Sequence, residues 1–160
     1  MPPITAIVHT HNDGLRLGRA LESLRPCDEI IVVDHASTDD SLRVAREYGA
    51  IIRSAGREQA TASHFASAQN EWILCVLPSE TLTETLEASL YEWKASTASE
   101  VAKIPGCAMT VKQETRGGWK DAPRSTRLVP RGWTLWDGEL PVYHPDSLLL
   151  DGDLLRFQTP

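Results

Sequence analysis

The sequence predicts an α/β fold: a three-layer α/β/α sandwich around a mostly parallel mixed sheet, ending in a short irregular β portion. Three observations predict it. Short apolar runs alternate with helix-spaced leucines over residues 1–95. The runs "EIIVVD" and "WILCVL" are continuously apolar, as in strands buried on both faces. After Ser96 the pattern changes to short stretches dense in Trp, Gly and Pro.

"ITAIVHT" is a β-rich first strand, closed by the turn-forming "HNDG". Leu17, Ala20, Leu21 and Leu24 then fall on one helical face, and Pro26 stops that helix. "EIIVVD" is the second strand. "ASTDDS" supplies N-caps for a helix running to about Tyr48, with Gly49 as its stop. "AIIRS" is a third strand, Gln59–Gln69 is weakly helical, and "WILCVL" is the fourth strand. Leu82, Leu86, Leu90 and Trp93 mark another helix, opened by Thr81 or Thr83. "VAKIPGCAMTVKQ" reads as two short strands around a Pro-Gly turn. One domain is expected over residues 1–160, with an α/β half to residue 95 and a reduced half from residue 96.

Composition narrows the function classes. Hydrophobic residues make up 41% and charged residues 24%, as in ordinary globular proteins. A net charge of −6 argues against nucleic acid as a partner, which needs a basic face. No apolar run approaches the length of a bilayer span, and "MPPITAIVHTHND" lacks signal-peptide features, so the cytoplasm is the expected compartment. The three cysteines, Cys27, Cys75 and Cys107, are too scattered for zinc or a disulfide framework.

In such a sheet, ligands bind beyond the carboxyl ends of the strands. "HTHND", "DHASTD" and "LPSE" should meet there. Asp34 is a candidate acceptor for a base or ribose, and Ser37 and Thr38 are candidates to meet a ligand or merely to cap the following helix. Neither a dinucleotide fingerprint nor a P-loop is present.

The segments "ITAIVHTHNDGLRLGRALESL", "DEIIVVDHASTDDSLRVAREYGA" and "EWILCVLPSETLT" together resemble the nucleotide-binding half of the family 2 glycosyltransferases. Small bacterial enzymes of the lipopolysaccharide-core type are the nearest in pattern, and "TRLVPRG" and "DGDLLRF" extend the likeness. The resemblance implies a GT-A fold, transfer of a sugar from a nucleotide-sugar donor to a glycan-type acceptor, and a nucleoside pocket lined by Thr10, Asn12 and Asp34. It places the family's Asp-x-Asp metal motif on Leu77–Ser79, where both aspartates are missing and only the following Glu80 is left as a metal ligand for Mg or Mn. An Arg-Asn or Lys-Asn pair expected around Thr61–Ser63 is absent, as is a His-Glu pair near Pro141 and Val142.

Inverting transfer needs a base for the acceptor hydroxyl and positive charge at the departing diphosphate. Arg57 and Arg127 are candidates for a metal-independent site, or are solvated surface residues. Asp137 and Glu139 are the candidate bases. Asp137 reads more simply as part of an Asp-Gly turn, and Glu139 stays open. Trp133 and Trp136 either stack on a sugar ring or build a small core.

Two other readings stand beside transfer. One is a non-catalytic relative that binds a nucleotide, a glycan or a protein. The other is a metal-dependent hydrolase built on His9, His11 and His35 with Glu80 nearby. Apolar surface left by the reduced second half would be covered in a homodimer.

Overall fold

The computed structural model describes residues 2–56 and 64–159. In chain order the elements are β1 (Ile4–Thr10), α1 (Leu17–Glu22), β2 (Glu29–Asp34), α2 (Ser41–Glu47), β3 (Ile51–Ser54), β4 (Trp72–Cys75) and β5 (Glu80–Leu82). They continue with α3 (Glu84–Lys94), α4 (Ala98–Val101), β6 (Cys107–Thr115), β7 (Gly118–Pro130), β8 (Trp136–Asp137), β9 (Leu140–Pro141) and β10 (Leu148–Arg156).

One eight-stranded sheet has the order β3-β2-β1-β4-β7-β6-β10-β5. Only β7 and β5 run against β1. β1 lies near the middle and is buried along its whole length, its polar Thr5, His9 and Thr10 included. Alternate residues of β1 feed two cores. Ile4, Ala6 and Val8 pack with Leu17 and Leu21 of α1, Val44 of α2, Leu86 and Leu90 of α3 and Val101 of α4. Ile7 packs with Ile31, Val33, Ile73, Phe65 and Val129 on the opposite face.

Helices lie on both faces of the sheet, as expected. α1 to α4 cover one face, and the other is closed by the helical residues His64 and Phe65, by Ala68 and by the Trp133–Leu140 segment. The second half contributes long strands rather than short irregular ones: β7 has 13 residues, and β6 and β10 have 9 each. The segment read as two strands around Pro105–Gly106 is instead a short helix followed by one strand. Thr97 and Glu100 form a capping box that starts α4, and β6 begins only at Cys107. At the opening of α3 the alternatives separate. Thr83 is the cap, accepting from the Leu86 N–H at 3.3 Å, whereas Thr81 belongs to β5. Part of the predicted helix Gln59–Gln69 lies outside the described residues.

β10 bends at Gly152, where its register against β6 shifts between Leu149 and Asp153. Gly152 has φ +100, and a Cβ there would strike the Leu86 backbone nitrogen and lie 2.6 Å from the Leu86 Cα. Gly152→Ala is expected to cost about 3 kcal/mol or more, because backbone strain and a backbone clash add. The check is a lowered midpoint in urea denaturation.

Candidate functional site

β1 and β2 end level, with Thr10 opposite Asp34. The chain leaves both through residues at positive φ, Asn12 (φ 53) and Ala36 (φ 56). Side chains knit these two turns together. The Asn12 Oδ1 accepts from the N–H groups of Thr38 at 2.7 Å and Asp39 at 3.3 Å, and the Asn12 N–H donates to the Ser37 Oγ at 3.0 Å. The Asp13 Oδ2 accepts from the Thr10 hydroxyl and the His11 N–H, both at 2.9 Å, while its Oδ1 takes the Arg16 Nε at 2.8 Å. Asp39 closes the ring by accepting from the Gly14 N–H at 2.9 Å and from Ser41. Hydrogen bonding to Ser41 and Gly14 holds the Asp39 carboxyl below its ordinary range.

The predicted nucleoside-pocket residues are therefore together, but Thr10, Asn12 and Ser37 are occupied in ordering the loops. Asp34 differs. Its Oδ2 accepts from the Ser37 N–H at 3.2 Å, while its buried Oδ1 has no hydrogen-bond partner. A buried acceptor of that kind is costly unless a ligand or water satisfies it.

His9 faces the second core, one residue before Thr10 on β1. Its Nδ1 lies 2.9 Å from the His35 Nε2, so one ring donates and the other accepts. The His64 ring stands edge-on to His9 at 5.7 Å. Burial, then the proximity of His35 and His64, pushes the His9 pKa down to about 4, so its ring is neutral at pH 7. The His9 Nε2 is buried without a partner. The predicted trio of His9, His11 and His35 with Glu80 does not assemble as such. His11 turns away after the strand ends and its ring bonds the His35 carbonyl, and Glu80 is committed elsewhere.

At "LPSE" the strand end is buried in a charge network. The Glu80 Oε1 receives the Arg127 Nη1 at 2.6 Å and the Leu77 N–H at 2.9 Å. The Glu80 Oε2 receives the Arg127 Nη2 at 2.8 Å and the Arg156 Nη2 at 3.0 Å. Arg127 also donates to the Cys75 carbonyl and the Ser125 hydroxyl. Burial works against the Glu80 charge, but the Arg127 bonds and charge outweigh it and hold the carboxyl below its ordinary value.

These facts bear on three expectations. Leu77, Pro78 and Ser79 offer no carboxylate, and both Glu80 oxygens already face guanidinium groups. The residues present do not fit the hard divalent cation that the resemblance implies, which wants several free charged oxygens. Arg127 is neither a surface residue nor open to a diphosphate, since both Arg127 and Glu80 are 0% exposed. Arg57 lies outside the described residues.

Glu139 arrives from the other half of the chain. The Asp137–Gly138 turn, with Gly138 at φ +62, links β8 to β9. Trp136 stacks on Phe65 at 4.4 Å between ring centroids, which docks this hairpin on the second face of the sheet. Trp136 thus serves packing, and Trp133 packs against the same core. The hairpin brings the Glu139 Oε1 to 3.9 Å from the His35 Nε2. Glu139 lines a cavity of about 240 Å³ with His9, Thr10, His35, Arg16 and Pro78. A second cavity of about 260 Å³ adjoins it through His11, Asp13 and Arg16. Asp137 is exposed and lines neither. The larger cavity of about 530 Å³ is apolar and sits at the opposite end of the sheet, against Pro3 and Trp72, away from these polar groups.

Arg16, His64 and Arg156 were not singled out in the sequence. Only Arg16 carried a local signal, as a basic residue three positions after Asp13.

Residues 5–76 match the family described as "Glycosyl transferase family 2". An uncharacterized glycosyltransferase of Rickettsia felis is 35% identical over 91 residues, which cover 54% of this chain and 32% of that protein. One from Rickettsia prowazekii is 33% identical over 91 residues, covering 54% and 31%. The match to these relatives thus spans about a third of their length. Among solved structures, S. aureus TarS superposes with a TM-score of 0.56 at 16% identity, over 98% of this chain and 35% of TarS. Glucosyl-3-phosphoglycerate synthase from Mycobacterium tuberculosis, in complex with Mg2+ and uridine diphosphate, has a TM-score of 0.51 at 19% identity, over 72% and 44%. At these identities the likeness speaks for the fold.

Proposed function

We propose, from the match of residues 5–76 to glycosyltransferase family 2, that the protein binds a nucleotide-sugar and transfers its sugar to a glycan-type acceptor without the family's carboxylate-held metal. The observation that carries this is the arrival of Glu139 beside the ends of β1 and β2, on a cavity shared with Arg16. In this reading the Asp34 Oδ1 accepts from the base or ribose, and the loops around Asn12 and Ser37 are ordered in advance of binding. Arg16 supplies positive charge to the diphosphate. Glu139 takes the proton of the acceptor hydroxyl as its oxygen attacks the anomeric carbon, and the nucleoside diphosphate leaves from the opposite side. Glu80, Arg127 and Arg156 act as a structural anchor and not as metal or donor ligands. Three free thiols agree with a reducing cytoplasm. Among the described residues no helix is long and apolar enough to cross a membrane.

One observation favours a second reading, a non-catalytic relative. The position of the metal motif is filled by Leu77 and Pro78 and backed by a closed ion-pair network. Calorimetric titration with UDP, GDP and their sugar conjugates, with and without Mn2+, tests the first reading. UDP leads because the Mycobacterium tuberculosis structure holds it. Equal binding with and without Mn2+ is expected. Failure of every nucleotide to bind ends the transferase reading, and binding without turnover of any acceptor supports the second.

A further inference from the structure

We propose that His9, His35 and Glu139 form a binding site for a borderline transition cation, Zn2+ or Co2+, distinct from the hard-cation position at the end of β4. One donor atom from each of the three residues lies within 4.8 Å of the other two. The closest pair, the His9 Nδ1 and the His35 Nε2, is 2.9 Å apart, and the Glu139 Oε1 is 3.9 Å from the same His35 nitrogen. Two ligands of a tetrahedral zinc ion stand about 3.3 Å apart, given bonds of about 2.0–2.1 Å. The pair has only to open slightly, and the glutamate to close slightly, for a cation to replace the proton now shared between the rings.

Each ligand is held independently. His9 is fixed within β1 and is 7% exposed. His35 directly follows β2, and its carbonyl is bonded by the His11 ring, which restrains the backbone behind the ligand. Glu139 is carried by the hairpin that Trp136 docks on Phe65. Two imidazoles and one carboxylate are the donor set of zinc and its neighbours rather than of magnesium or calcium. The remaining coordination position opens on the cavity lined by Thr10, Arg16 and Pro78, leaving room for water or a small ligand.

Metal binding is measured without any nucleotide, so it stands or falls apart from the transferase reading. A carboxylate engaged by a metal is no longer free to take a proton, so the two roles of Glu139 exclude one another in time.

The test is titration of the full chain, prepared in chelator and dialysed, with ZnCl2 by calorimetry and with CoCl2 by visible absorption. One ion per chain is expected, with the intense visible bands of four-coordinate cobalt. His35→Ala and Glu139→Gln, both at half-exposed positions, should each weaken binding at least about tenfold while circular dichroism shows the fold retained. His144→Ala, which changes a histidine beside Trp133 and outside the site, should leave it unchanged. Absence of stoichiometric binding, unchanged affinity in His35→Ala and Glu139→Gln, or an equal loss in His144→Ala would each overturn the assignment.

Discussion

Glu80→Ala is expected to destabilise the protein by about 3–5 kcal/mol, the usual cost of leaving a buried charge without its partner. Arg127 has no route to water at 0% exposure, and its guanidinium makes both of its carboxylate bonds to Glu80. Removing that carboxylate also frees the Leu77 N–H and loosens Arg156, so the end of β4, β5 and β10 lose a common anchor. Urea denaturation at pH 7 reads the loss. Acid gives an independent check with a definite sign. Glu80 has a folded pKa below its ordinary value of 4.5. Its contribution is therefore complete above the unfolded value and is lost as pH falls through the folded one. Wild-type stability should decline on acidification below about pH 5, and Glu80→Gln should lack that part of the decline. An unchanged urea midpoint in Glu80→Ala would mean that Arg127 finds solvent by a path the fold does not show.

Glu139→Gln is expected to lower kcat by about 100- to 10,000-fold, the range of a positioned general base. The affinity for the nucleotide should stay as it was. Glutamine keeps the size and the hairpin position but cannot accept the hydroxyl proton. The assay belongs in chelator, where the histidine site is empty and only the proton-transfer role is read. A change in KM with kcat intact would move Glu139 from proton transfer to acceptor binding.

The parts of this fold that were legible in the sequence are those with a local signal. β1, β2 and β4 are apolar runs, α1 and α3 show helix-spaced leucines, and the convergence of Thr10 and Asp34 follows from strands that end level. What escaped depends on distant partners. Nothing near Glu80 announces that Arg127, 47 positions later, consumes its oxygens. Arg127 has the composition of a surface residue, and only its partner makes burial tolerable. The pairing of His9 with His35 rather than His11 turned on one backbone detail, the bend that follows Thr10 and sends the His11 ring to a carbonyl. The capping box at Thr97 and Glu100 is a local signal, obscured by the stronger turn signal of the Pro-Gly dipeptide just after it. Glu139 was legible as an acid near the right position, but its approach to His35 depends on a ring stack between Phe65 and Trp136.

The small strand β5 has one hydrogen-bonded neighbour in the sheet, β10, in which Arg156 lies opposite Glu80 across 76 positions of sequence. During synthesis, the strand–helix units before β5 can collapse while that strand still has no edge to join. Closing so long a loop comes late and slowly, because its entropy must be spent before the contacts are made. Until β10 emerges, Glu80 and Leu82 of β5 lack their strand partners in the growing chain, and that interval is where a chaperone or an aggregation partner would act.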